Sequence, residues 1–278
     1  MCKSNIIMKE QDEFYIGWQD EASNSFKNGR KTFFLIGLIV FVLFALGYLF
    51  MENKFVDSYF DYGNLTELEG TIVEYPVFGL RTEVDGKAVT VPLVGFGKFD
   101  ALPVLEAIKE RANGRSLSSL KVSLKGTILT YQDKTWMELT EGDESIISIN
   151  DSEQNYSQTI QSLGTISIAG EIVDPKCFFG VMNPAYNKIH RSCAIRCISG
   201  EIPPVLAIRE NGIFIDYYFV TDEKRASINK EILQFVGIPV TVSGAVQQVD
   251  DWKVIQINPT LLRSKITARM DSQLARCN

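Results

Sequence analysis

The sequence predicts a mainly β protein with short helices, in which a single N-terminal transmembrane helix is followed by two OB-like five-stranded β-barrel modules. Three observations carry this. Residues 32–51, TFFLIGLIVFVLFALGYLFM, run for twenty positions without a charge. An order of three strands, a helix and two strands, that of a five-stranded OB barrel, then occurs twice. Glycines recur at matching places in both copies, Gly70 with Gly170 and Gly126 with Gly244.

The apolar run is long enough for the roughly 30 Å hydrocarbon core of a bilayer at 1.5 Å per residue. Lys27, Arg30 and Lys31 precede it, whereas Glu52, Asp57 and Asp61 face a lone Lys54 after it. The positive-inside rule therefore predicts a cytoplasmic arm, 1–31, and a periplasmic or extracellular remainder. Residues 52–67 read as a spacer. A net charge of −6 and a pI near 5.1 argue against a nucleic-acid partner.

The first module is expected over 68–149. Strands flank the Asp85-Gly86 hairpin signal, and Ala101 to Ala112 switches to helical period, with Leu102, Leu105, Ile108 and Ala112 on one face. A closing hairpin turns at Gln132 to Lys134. Residues 150–164, NDSEQNYSQTIQSLG, are polar and unpatterned and read as a linker. The second module, 165–258, repeats the plan. Its helix is expected over Glu223 to Val236, its closing hairpin over Pro239 to Ile257, and residues 259–278 form a tail.

Spacing separates the copies. Gly70 and Gly126 are 56 positions apart, Gly170 and Gly244 are 74, so the second module carries 18 more. The excess falls on 177–204, CFFGVMNPAYNKIHRSCAIRCISGEIPP, which holds three of the five cysteines and the single histidine. Such an insertion is expected at the rim of the barrel, where loops usually carry function.

His190, Cys193 and Cys197, three and four apart, share one face of a helix within about 60°. That helix is expected to end at Gly200 and before Pro203-Pro204. With Cys177, and with Met182 as a further thioether, they form a soft donor set for copper(I) or zinc, or an axial ligand for haem. Outside the cytoplasm, paired cysteines are more commonly disulfides. Compartment logic thus puts a disulfide from Cys177 to Cys193 or Cys197 first, with Cys277 available to a leftover thiol, metal ligation second and a redox-active thiol third. Cys193 to Cys197 is CxxxC, which matches neither the CxxC redox motif nor a haem-attachment motif. Gly95-Phe-Gly97-Lys98 lacks a phosphate-loop pattern. No catalytic constellation stands out, and whether the chain is an enzyme stays open.

The run from Gly170 to Pro204, with its C-x12-H-x2-C-x3-C pattern at Cys177, His190, Cys193 and Cys197, resembles a signature of uncharacterised membrane-anchored extracytoplasmic bacterial proteins of OB type. The resemblance implies an envelope location and no established activity. The anchored plan is also similar to that of the periplasmic haem chaperone of cytochrome c maturation, without that family's haem-binding motif. The expectation is a membrane-anchored, extracytoplasmic, non-enzymatic binding or scaffolding protein with an envelope protein as partner. The alternative is a thiol-redox or assembly accessory of a membrane redox complex, using Cys193 and Cys197.

Overall fold

The computed structural model describes residues 24–52, 58–152 and 156–264. Most of residues 1–31, the arm expected on the cytoplasmic side, and Cys277 lie outside them. The chain divides into two compact units, the apolar helix in one and both barrels in the other. Helix α1, Asn24–Glu52, contains a 25-residue stretch, Lys27–Met51, of mean hydropathy 2.8 with none of its most apolar part buried. Its apolar stretch rises about 38 Å, enough to cross a bilayer.

The first barrel follows β1 (Ser58–Phe60) and comprises β2 (Thr66–Val73), β3 (Gly79–Val84), β4 (Lys87–Gly95), α2 (Leu102–Arg111), β5 (Leu120–Tyr131) and β6 (Lys134–Leu139). Around the barrel the strands run β2-β3-β4-β6-β5 and close by pairing β5 with β2. All these pairs are antiparallel except β4 with β6. Asp85-Gly86 turns with both φ angles positive, as its hairpin requires. Val104, Leu105 and Ile108 of α2 seal a core of Ile72, Leu80, Val91, Leu120 and Leu124.

A further strand, β7 (Ile146–Asp151), pairs with β5, and β8 (Ile160–Val173) opens the second barrel. Strand pairing therefore takes both ends of the segment read as a linker over 150–164. Backbone hydrogen bonding explains why a polar stretch joins: β7 and the start of β8 add to strand edges, which need no apolar side chains.

The second barrel continues with α3 (Asn187–Ser199), β9 (Val205–Glu210), β10 (Ile213–Asp222), α4 (Asn229–Ile232), β11 (Pro239–Val249) and β12 (Trp252–Ile257). Its order, β8-β9-β10-β12-β11 closing on β8, with β10 and β12 parallel, is that of the first. A two-residue strand, β13 (Arg263–Ser264), extends it from β11. The matched glycines are structurally equivalent. A Cβ on Gly126 would lie 2.5 Å from Glu138 O, and one on Gly244 2.1 Å from Gln256 O, so at both places two backbones cross too closely for a side chain. The helix expected over 223–236 is shorter, α4 plus a 3₁₀ turn to Phe235. Upstream, the Asp222 carboxylate accepts from the N–H groups of Lys224 and Ala226 and ties the chain into a turn.

The insertion proves larger than the glycine spacing suggests. The first-to-second strand connection has five residues, 74–78, in one barrel and 31, 174–204, in the other, 26 more. The third-to-fourth strand connection is shorter in the second barrel, 16 residues against 24, and hides eight of them. Nor does the insertion stand free at a rim. Cys177–Val181 forms one π-helical turn that drives Phe178 and Phe179 into a seam between the barrels. There Phe179 stacks on Trp136 at 5.5 Å, and Trp136 meets Trp252 edge-on at 5.8 Å. Trp252 Nε1 donates to Thr90 O at 2.8 Å, and Arg81 pairs with Asp251 at 2.7 Å, across the same seam.

Truncating the plug should be costly. Phe179→Ala is expected to destabilise the two-barrel unit by about 3–5 kcal/mol, while Ile189→Ala, at an 80% exposed position, should change stability by no more than about 0.5 kcal/mol. Thermal unfolding of the full chain in mild detergent checks this. Equal effects of the two changes would contradict a load on the seam.

Candidate metal centre

The site begins where β8 ends. Asp174 follows the strand and precedes Pro175, and its Oδ1 accepts from Lys176 N–H at 3.0 Å, which starts the π-helical turn. That turn delivers the Cys177 sulfur. The chain then returns as α3, whose start is tied down by Asn187 N–H on the buried Glu171 carboxylate. Along α3, the face carrying His190, Cys193 and Cys197 meets Cys177 as the spacing predicts. Arg191 holds the helix in place, donating to Val236 O at 3.0 Å and Gln234 O at 2.9 Å. Gly200 ends it, as expected.

Two overlapping triads result. Donor atoms of Cys177, His190 and Cys193 lie within 4.8 Å of one another, and so do those of Asp174, Cys177 and Cys197. Asp174, Cys177, His190 and Cys197 are buried, and Cys193 is partly exposed. The fifth expected donor, Met182, is 45% exposed just beyond the π-helical turn, and its described contact is a backbone N–H to Cys177 O. Among the described residues the three cysteines are free thiols and no disulfide is present, which corrects the first expectation. Cys177 and Cys193 sulfurs are 4.0 Å apart, against about 2.05 Å in a disulfide. Two thiolates on one tetrahedral zinc, each about 2.3 Å from it, would be about 3.8 Å apart.

The first barrel contributes a cation to this cluster. Lys98 Nζ donates to Cys193 Sγ at 2.9 Å and lies 3.5 Å from Cys197 Sγ. Its loop is held from both sides. Lys176, buried at the start of the insertion, donates to Gly95 O at 2.8 Å and Gly97 O at 2.7 Å, and pairs with buried Glu138 at 2.7 Å. Asp100 N–H donates to Gly200 O at 3.1 Å. A Cβ on Gly200 would sit 1.8 Å from Lys98 O, so only glycine lets α3 end there.

Charge and burial tune the donors. The hydrogen bond with Cys197, then burial, then Asp174, push the Cys177 thiol far above the usual range. Burial lowers the His190 pKa, with Asp174 opposing and Lys98 adding to the effect, so the imidazole is neutral and its lone pair free to ligate. The hydrogen bond to Cys193 raises Lys98 above ordinary lysine, despite some burial. Two buried side-chain atoms of the cluster residues have no hydrogen-bond partner, Asp174 Oδ2 and His190 Nε2. Orphaned buried acceptors of this kind are costly unless something satisfies them, and a Lewis-acidic cation does.

No family model, curated protein or solved structure matches the chain. The reading of the site therefore rests on its own geometry. Each triad encloses a space of ionic size rather than that of a porphyrin, and its sulfur-rich donors suit a small soft ion.

Sequence reasoning missed two members. Asp174 belongs to Gly170-Glu-Ile-Val-Asp-Pro, which reads as the repeat of the opening strand, and its place three residues before Cys177 was the available signal. Lys98 lies 79 positions from Cys177, in a loop whose glycines suggest only a turn, and no local pattern could have joined it to the cysteines.

The buried Lys176–Glu138 pair fixes the loop that carries Lys98. Lys176→Met, which strands the Glu138 charge, is expected to cost about 3–5 kcal/mol. Adding Glu138→Leu should return most of that stability while leaving the Lys98 loop free of its anchor. Chemical denaturation of the three variants in detergent tests this; a double variant no better than the single would show that the pair is not coupled.

Proposed function

We propose that the protein is a membrane-anchored, extracytoplasmic, non-enzymatic scaffold of a bacterial envelope that holds one soft metal ion at the seam of its two barrels. The carrying observation is a pair of donor triads that share Cys177, one with His190 and Cys193 and one with Asp174 and Cys197, in which His190 and Asp174 each keep a buried polar atom without a hydrogen-bond partner. Cys177, His190 and Cys193 would hold the ion, and Cys197, which joins Cys177 and Asp174 in the second triad, would close on it as the fourth ligand. A bound ion would supply Lewis acidity and displace the thiol protons.

Charge arithmetic favours zinc over copper(I). Three thiolates, the Asp174 carboxylate, a neutral imidazole, Zn²⁺ and the Lys98 ammonium sum to −1, whereas copper(I) would leave −2 in a buried site. A four-coordinate site of this kind is structural rather than catalytic. It would pin the insertion of the second barrel to the Lys98 loop of the first, and so shape a face offered to an envelope protein partner. The anchor reading rests on α1, with its cationic flank in the cytoplasm.

Full-length protein in mild detergent, stripped with chelator and titrated with zinc against a chromophoric chelator, is expected to bind one equivalent. Cys177→Ser and His190→Gln should each weaken binding by about 100-fold, the scale of a lost ligand or of its close support. Loading should raise the melting temperature of the wild type alone. Sub-stoichiometric binding with no thermal shift for zinc or copper(I) would overturn the reading.

A further inference from the structure

The thiol cluster is asymmetric in a way that metal ligation does not require. Cys193 is partly exposed and has an ammonium at 2.9 Å. Cys177, 4.0 Å behind it, is buried and lies within reach of an unpartnered carboxylate oxygen of the equally buried Asp174. Cys197 is buried and sits one turn along α3 from Cys193, an arrangement whose Cβ geometry resists a direct disulfide. Cys177 comes instead from a single π-helical turn, an element frequent at functional sites.

We propose that Cys193 and Cys177 form an exchanging dithiol that reduces the disulfide of an external substrate, with Cys193 the attacking sulfur and Cys177 the resolving one. This competes with the non-enzymatic metal reading and does not depend on it. In the first step Cys193 Sγ, its proton given up to water, attacks one sulfur of the substrate R–S–S–R′. An Sγ–S bond forms, the S–S bond breaks, and R′S⁻ leaves with the electron pair and takes a proton from water. Lys98 Nζ stabilises the negative charge on the attacking sulfur. In the second step Cys177 passes its proton to the Asp174 carboxylate, and from there to water. Its sulfur attacks Cys193 Sγ, the mixed disulfide breaks, and RS⁻ leaves and is protonated. The dithiol has lost two electrons and two protons and the substrate has gained them.

The Sγ pair need close only from 4.0 Å to about 2.05 Å. Of the two thiols that the sequence offered for redox work, Cys193 and Cys197, this reading takes Cys193 and pairs it with Cys177 from outside the helix. It also makes the dithiol and any ion mutually exclusive, because Cys177 belongs to both donor triads.

The substrate chemistry is an S–S bond, carried by a low-molecular-weight disulfide or by a polypeptide, and two arms separate the sources. Chelator-treated full-length protein in detergent is incubated with glutathione disulfide or with a disulfide-bonded protein, then alkylated and mapped by peptide mass spectrometry. Wild type is expected to lose two thiols and yield a Cys177–Cys193 peptide without a retained adduct. Cys177→Ser should accumulate the mixed disulfide on Cys193, Cys193→Ser should react at least tenfold more slowly, and Ile189→Ala, exposed on the same helix, should behave as wild type. Lys98→Met should slow adduct formation in the Cys177→Ser background about tenfold, with Lys98→Arg restoring it. Reaction with glutathione disulfide alone assigns a small substrate, and reaction with the protein disulfide alone assigns a polypeptide one. Inert thiols in both arms, or adducts and disulfides centred on Cys197, would overturn the proposal. A zinc-loaded arm keeps the two readings apart: protection by zinc supports both, exchange with no zinc binding removes the metal reading only, and zinc binding with inert thiols removes this one only.

Discussion

The Lys176 ammonium holds the two-barrel unit in register. It leaves the second barrel beside Cys177, crosses the seam and ends among Gly95 O, Gly97 O and the Glu138 carboxylate of the first. A buried ammonium is costly unless every donor is used, and here its three hydrogens have three acceptors. The loop that they grip carries Lys98 to the sulfurs. The aromatic seam supplies the adhesion, and Phe178 and Phe179 follow Cys177 directly in sequence. Cohesion of the barrels and assembly of the donor cluster thus depend on the same few residues, 174–181.

The fold was largely legible in the sequence because each barrel announces itself locally. Hairpin residues such as Asp85-Gly86, the helical period from Ala101 and the matched glycines are all short-range signals. Agreement between two copies then turned weak signals into a strong one. The misreadings arose where the backbone alone decides. Residues 150–151 and 160–164, within the expected linker, pair along strand edges despite a largely polar composition, and the second barrel's helix is cut short by a turn centred on Asp222.

The site was half legible. Helical spacing anticipated that His190 and Cys193 share a triad, whereas Cys197 falls into the other with Asp174, and the compensating connection lengths hid the true size of the insertion without displacing it. Compartment logic misled on the disulfide, because it weighs how often cysteines pair and takes no account of a neighbouring ammonium and carboxylate. Asp174 and Lys98 are what turn three thiols into a tuned cluster. One was hidden inside a repeat and the other came from the opposite module.

The 26-residue difference between equivalent connections makes two barrels of the same topology unequal partners. One has become a socket, with Trp136, the Lys98 loop and Glu138 as its fittings, and the other carries the plug. Symmetry of fold therefore coexists with a fixed polarity of assembly. Two first barrels would meet with no plug, and two second barrels would carry Phe178 and Phe179 with nothing to receive them. Such a pair has no use for a second copy of the chain at this seam. The duplicated plan has closed upon itself, satisfying within one polypeptide the kind of contact that repeated domains otherwise make between molecules.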